Sequence, residues 1–227
     1  FCHFAEVLEE RLAEIYRAAM EHSIRKEGSA EARNSREKLV YLDMEAYHDI
    51  ELTLKVFMKT LERPEFFKLH TGIVLQAYLP DSFSVQRQLI SWAHERVRNG
   101  GAPLRMRLVK GANLAMEQFE SEQHGWTLPV YATKIETDAN FKRMLEEGIR
   151  PLALEGLKLG VASHNLFDLA CARALAEQQG VNAGMSSEML EGMADPYRRV
   201  LQKATDQSKG EEILLYTPVV VREQFFN

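Results

Sequence analysis

Residues 104–113 read Leu-Arg-Met-Arg-Leu-Val-Lys-Gly-Ala-Asn, and they carry more chemistry than any other stretch of the chain. Arg105, Arg107 and Val109 alternate with Met106, Leu108 and Lys110, a period of two that predicts a buried strand. Two guanidinium groups on one face of such a strand need partners, because an unpaired buried charge is very costly. Lys110 and Gly111 end the strand, and the glycine lets the backbone approach another group closely. A strand that delivers Arg and Lys at its carboxyl end suits the floor of a site for an anionic cofactor. A purely structural role for the arginines explains the stretch by itself equally well.

Other polar residues stand at comparable places. Asp43 follows Leu39-Val40-Tyr41-Leu42 with no turn between, and Arg107 on a neighbouring strand is its expected partner. Gln76 closes Gly72–Leu75, where it either serves a ligand or bridges backbone groups. His164 and Asn165 close the run from Leu157, and Asn165 suits a helix cap. Glu188, Glu191 and Tyr216 end two further runs, Tyr216 as an amphipathic wall residue. Asp43, His164, Glu188 and Glu191 form a conceivable divalent metal set. No His-x-His or His-Glu-x-x-His spacing supports it, and no metal is expected.

The elements that position these residues alternate along the chain. Phe4, Val7, Leu8, Leu12, Ile15 and Ala19 mark one face of an amphipathic helix, and Ser23 to Glu37 reads as a solvated loop. Strands are predicted at 39–43, 72–78, 104–110, 157–165, 183–190 and 213–217, the fifth weakened by Gly184 and two serines. Helices fall between them: through Leu52–Leu61, from Asp81 or Ser82 to Arg98, over 114–123, through Met144 and Leu145 with Thr137 and Asp138 as caps, over 166–178, and from Ala194. Six alternations imply parallel strands with helices outside. No Gly-x-Gly-x-x-Gly or Gly-x-x-x-x-Gly-Lys follows any strand, which disfavours a nucleotide-binding sheet. Polar residues gathered at strand carboxyl ends predict instead a (β/α)8 TIM-like barrel with about six of its eight strands present.

The 227 residues suffice for a single domain spanning 1–227. A net charge of -5 argues against nucleic acid as a partner. No apolar run approaches the roughly 20 residues of a membrane span, and no leader opens the sequence. Cys2 and Cys171 are expected to be free thiols in a reducing compartment, so a cytoplasmic location follows. The sequence begins at Phe1 inside a helical pattern and reads as a fragment.

Arg107-Leu108-Val109-Lys110-Gly111-Ala112 resembles the fourth barrel strand of proline dehydrogenase, as in the bifunctional proline utilisation A enzymes. Five further strand-end segments resemble that family in the same order, and a loop-helix segment joins them. Leu42-Asp43-Met44-Glu45 is similar to its second strand, with an active-site aspartate. Gly72–Tyr78 is similar to the third, whose glutamine hydrogen-bonds the flavin ring. Ser163-His164-Asn165 is similar to the fifth-strand Thr-His-Asn, Leu190-Glu191-Gly192-Met193 to the sixth strand end, and Tyr216-Thr217-Pro218 to the strand whose tyrosine walls the proline pocket. Thr133–Asp138 resembles a cofactor-contacting loop and helix.

The resemblance implies FAD-dependent oxidation of L-proline to 1-pyrroline-5-carboxylate, by hydride transfer to flavin N5. It implies Asp43, Arg107 and Tyr216 in the active site. It implies Met44, Gln76, Arg107, Lys110, Gly111, Ala112, Thr133, Lys134, Thr137, Ser163, His164 and Asn165 as FAD contacts, and Asp43, Asn113, Leu190 and Tyr216 as substrate contacts. Quinone as electron acceptor, transient membrane contact, and an aldehyde dehydrogenase domain fused or partnered in the parent protein belong to the same picture.

This sequence departs from the family pattern at four places. Asn113 stands where many members carry tyrosine, and Ser186-Ser187 replaces a more apolar pair, which should loosen that strand. The family's first strand with its lysine, and its helix with paired arginines, have no counterpart, so such a fragment should hold FAD yet respond weakly to proline. Arg107→Ala is expected to cost cofactor binding more than stability. Two alternatives remain: a Schiff-base barrel enzyme using Lys110, and a non-catalytic barrel fragment.

Overall fold

The computed structural model describes residues 2–27, 38–150, 156–206 and 211–216. Six strands form one sheet in sequence order: β1 (Val40–Leu42), β2 (Thr71–Gln76), β3 (Leu104–Val109), β4 (Leu157–Ala162), β5 (Met185–Leu190) and β6 (Glu212–Tyr216). Every neighbouring pair is parallel. Helices α1 (Cys2–Glu27), α2 (Ile50–Leu61), α3 (Ser82–Arg98), α4 (Leu114–His124), α5 (Lys134–Ile149), α6 (Leu166–Gln178) and α7 (Asp195–Ala204) complete the described secondary structure, apart from short 3-10 turns.

The two-residue period of the strands sorts side chains onto two faces. Ile73, Leu75, Met106, Leu108, Leu159, Val161 and Met189 are buried and join Leu89, Phe141, Met144 and Leu169 of the helices in one core. The other face carries Tyr41, Arg105, Arg107, Gly160, Ser186, Glu188 and Glu212. Their contacts reveal curvature. The Tyr41 hydroxyl donates to Glu188 Oε1 at 2.8 Å, although β1 and β5 lie four strand spacings apart, about 19 Å in a flat sheet. Arg105 on β3 likewise reaches Glu212 on β6 at 2.8 Å. Only a sheet curled toward closure brings such side chains together, so the polar face is the lumen of a TIM-like barrel with six strands described.

Several boundaries differ from the sequence reading. α1 continues through Glu27, into the segment expected to be loop, and the rest of that loop, 28–37, lies outside the described residues. So do Thr217 and Pro218. α5 starts at Lys134, capped by Thr133 and not by Thr137 or Asp138. The Thr133 hydroxyl accepts from the Glu136 amide while the Glu136 carboxylate accepts from the Thr133 amide, a reciprocal capping box. β5 is not loosened by its serines. It is buried over Met185–Met189, and the Ser186 hydroxyl donates to Glu188 at 3.2 Å.

Candidate active site

Each crossover returns the chain so that all strand carboxyl ends open on one side, and a cavity of about 420 Å³ lies there. Its floor is apolar and low, formed by Val74, Val109 and Ala162. Around the rim stand Asp43, Gln76, Lys110, Asn113, Ser163, His164 and Tyr216, with Met44, Gly111 and Ala112. Asp43, Gln76, His164 and Tyr216, each read from the sequence as a strand-end residue, therefore share one cavity. Arg107 is 8% exposed and lies beneath it.

Arg107 meets Asp43 as expected, and a second, closer carboxylate as well. Asp43 Oδ1 is 3.8 Å from Arg107 Nη1, but the Asp43 side chain is 63% exposed and β1 is not adjacent to β3. The close partner is Glu188, fully buried, whose Oε2 accepts from Arg107 Nε. Arg107 also lies over the Tyr41 ring, 4.0 Å from its centroid, and the Tyr216 ring at 4.7 Å. Both phenols stay protonated. Burial chiefly raises the Tyr41 pKa, and the Glu188 charge adds to it. Burial also raises that of Tyr216, with Arg107 opposing and Glu188 and Asp43 reinforcing. Neutral rings keep their electron-rich faces available to the guanidinium.

Lys110 is equally committed. Its Nζ bridges Asp138 at 2.6 Å and Asp168 at 2.7 Å. The Ser163 hydroxyl donates to Asp168 at 3.2 Å, and Lys134 pairs with Asp138. Burial alone would lower the Lys110 pKa, but the two carboxylates outweigh it and hold the group above its usual value. A Schiff-base lysine needs the opposite shift, so the aldolase-like alternative loses its nucleophile.

This cluster implies a pH dependence. The Lys110 and Lys134 ammonium groups hold the Asp138 carboxyl below its usual range, so its stabilising contribution is present above the ordinary aspartate pKa and lost as pH falls through the lowered one. Lys110 is raised, so its contribution is present below the ordinary lysine pKa and lost as pH rises through the raised one. Asp138→Asn should destabilise the protein by about 1 kcal/mol between about pH 5 and pH 9, a value discounted for partial exposure. Thermal melts should show the wild-type advantage shrinking toward both pH extremes.

The remaining expected residues sort by position. The Gln76 amide nitrogen donates to the Met44 carbonyl. The Leu190 amide donates to His164 Nε2 at 3.2 Å, which places the proton of the neutral ring on Nδ1. Leu190 itself does not line the cavity. Asn113 Nδ2 donates to the Glu45 carbonyl at 3.1 Å. Asn165 caps α6, its Oδ1 accepting from the Phe167 amide at 2.9 Å. Thr133, Lys134 and Thr137 stand outside the cavity wall at the start of α5, and of the three Lys134 reaches the rim through Asp138, the partner of Lys110. Gly111 has φ +123, and an added Cβ would meet the Tyr78 ring at 2.6 Å. Only glycine accommodates that turn.

Among the described residues no three His, Cys, Asp or Glu side chains converge as a metal site. Glu191 pairs with Arg198 at 2.8 Å, and Glu188 belongs to Arg107. No described helix is long and apolar enough to cross a membrane. Sequence reasoning missed Glu188 as the Arg107 partner, Tyr41, Asp138 and Asp168. A glutamate two residues after Ser186, inside a buried strand, was the signal for the first.

The molecule is a parallel α/β barrel whose strand ends surround a cavity with an apolar floor and a polar rim, the face on which such barrels place their sites. A family model described as proline dehydrogenase matches residues 5–227, and the chain belongs to the proline dehydrogenase family. It is similar to proline utilization A of Corynebacterium freiburgense, with 42% identity and a TM-score of 0.80 over 94% of this chain and 20% of that one. Proline utilization A of Bdellovibrio bacteriovorus, in a structure inactivated by N-propargylglycine, is 34% identical with a TM-score of 0.80, covering 95% of this chain and 20% of that one. Hydroxyproline dehydrogenase of Xenopus laevis is 30% identical over 134 residues, 57% of this chain and 28% of that protein. The chain thus spans about a fifth to just over a quarter of these relatives.

Proposed function

We propose that this barrel oxidises L-proline to 1-pyrroline-5-carboxylate with FAD held at the strand carboxyl ends. The observation that carries the reading is the convergence of Asp43, Gln76, Lys110, His164 and Tyr216 on one cavity above the buried Arg107. The cavity fits the cofactor chemically. Val74, Val109 and Ala162 offer a small-residue floor for a flat ring, while amide, ammonium, hydroxyl and imidazole groups stand at its edges. About 420 Å³ lies within the usual ~300–1,000 Å³ of small-molecule sites.

FAD, when bound, accepts a hydride at N5 and passes the electrons on to a quinone. The protein's part is placement and charge. The Met44 carbonyl holds the Gln76 amide nitrogen, so Gln76 would present its oxygen to the ring edge. Lys110, Gly111 and Ala112, which line the cavity, would hold the cofactor there. Thr133, Lys134 and Thr137 at the start of α5 would supply further polar contacts to the cofactor, and Ser163, His164 and Asn165 would meet it from the segment that follows β4. Asp43, Asn113 and Tyr216 shape the substrate side, with Leu190 acting only through its amide on His164, while Asp43 also orients Arg107 and the neutral Tyr216 walls the pocket.

The relatives include a hydroxyproline dehydrogenase, but L-proline or a similar cyclic carboxylate is the substrate we assign. The product passes to an aldehyde dehydrogenase, fused or separate, and the reaction takes place in the cytoplasm. The test is an absorbance spectrum of the FAD-loaded protein, recorded without oxygen before and after L-proline is added. The flavin band should be present and then bleach. A band that persists at saturating proline contradicts the proposal.

A further inference from the structure

Glu188 has no exposed surface, yet three donors meet its carboxylate: Arg107 Nε, the Tyr41 hydroxyl at 2.8 Å and the Ser186 hydroxyl at 3.2 Å. Three donors fix the position of this buried carboxyl group. Beneath the cavity, Arg107 contributes +1 and Glu188 -1, a local sum of 0, and Asp43 adds -1 at the rim above them. Lys110 and Lys134 are likewise offset by Asp138 and Asp168, for a sum of 0. Two cations at a strand end suggest a positive floor. The structure instead builds one whose positive charges are already balanced, and Glu188 is the member farthest from solvent.

We propose that Glu188 is a positioning residue. It fixes the Arg107 guanidinium against the Tyr41 and Tyr216 rings, and it offsets the Arg107 charge so that bound flavin is not over-stabilised in its reduced state. Charge near the isoalloxazine tunes its electron affinity, a cation favouring the electron-rich reduced form and an anion opposing it. This inference rests on the flavin reading above.

The experiment measures the flavin reduction potential of the full-length, FAD-loaded wild type, Glu188→Gln and Tyr41→Phe. Glutamine keeps the shape and removes the charge. The reduced-to-oxidised ratio at a fixed potential should rise by about tenfold, which for a two-electron couple is ~30 mV upward. Tyr41→Phe removes one hydrogen bond from the carboxylate and leaves more of its charge on Arg107, so the potential should move a smaller amount downward. Opposite signs separate charge tuning from loosened packing, which moves both variants the same way. Unmoved potentials, or two shifts of one sign, overturn the proposal. Where Glu188→Gln does not fold, Tyr41→Phe decides alone: a downward shift supports the proposal and no shift overturns it. A wild type that takes up no FAD overturns the flavin reading and this inference together, whereas bound flavin with unmoved potentials overturns this inference only.

Discussion

Arg107→Ala should destabilise the fold by about 3–5 kcal/mol, the usual cost of removing one partner from a buried ion pair. The cause lies in what is left behind. Glu188 would remain fully buried with only the Tyr41 and Ser186 hydroxyls to meet it. The sequence alone suggested the reverse, that this substitution costs cofactor binding more than stability, because only an anion in the site or Asp43 was expected to meet Arg107. Urea denaturation of the variant checks the point. The double substitution Arg107→Met with Glu188→Leu removes both charges and should recover most of the lost stability, since apolar replacement of a buried pair is often neutral. The double variant should still not respond to proline. Stability unaffected by Arg107→Ala would mean that the Glu188 carboxylate is neutral or hydrated.

The second large effect is expected at Gly160. It sits in the middle of β4, between Arg107 on β3 and Ser186 on β5, and an added Cβ would overlap the Glu188 carboxylate. That carboxylate cannot swing aside, because its three donors come from three different strands. Gly160→Ala should therefore cost about 2–3 kcal/mol, at the upper end of overpacking. It should also weaken FAD binding, because Arg107 follows Glu188. Gly148→Ala is the control: its Cβ would meet the Leu159 side chain at 2.9 Å, away from the lumen, so stability should fall while FAD affinity per folded molecule holds. Equal FAD affinity in folded Gly160→Ala would break the link between Glu188 and the cofactor.

Much of the architecture was legible because its signals are local. The alternation in residues 104–109 identified β3, six alternations of strand and helix identified the parallel sheet, and Asn165 before an apolar run identified the cap of α6. The start of α5 was equally readable, since Thr133-x-x-Glu136 is a capping box. Assigning the cap to Asp138 hid its actual role as a partner of Lys110. What local patterns do not carry is closure. Tyr41 and Glu188 are 147 positions apart and meet only because the sheet curls, so no spacing in the sequence announces the pair. The same holds for Arg105 with Glu212 and for Lys110 with Asp138 and Asp168. The rim residues were recognisable one by one from their strand ends, whereas the charges that balance them lie on distant elements. A lone buried glutamate and a mid-strand glycine were the two local hints, and each had a weaker ordinary explanation.

The measurement that bears most directly on the account is a crystal structure of the FAD-loaded protein with a non-oxidisable cyclic carboxylate bound. The account predicts the isoalloxazine across the carboxyl ends of β2, β3 and β4, contacting Gln76, Lys110 and His164. The carboxylate ligand should lie between it and the Asp43–Tyr216 side of the cavity. Flavin found at the amino ends of the strands, or against the outer helices, would contradict it.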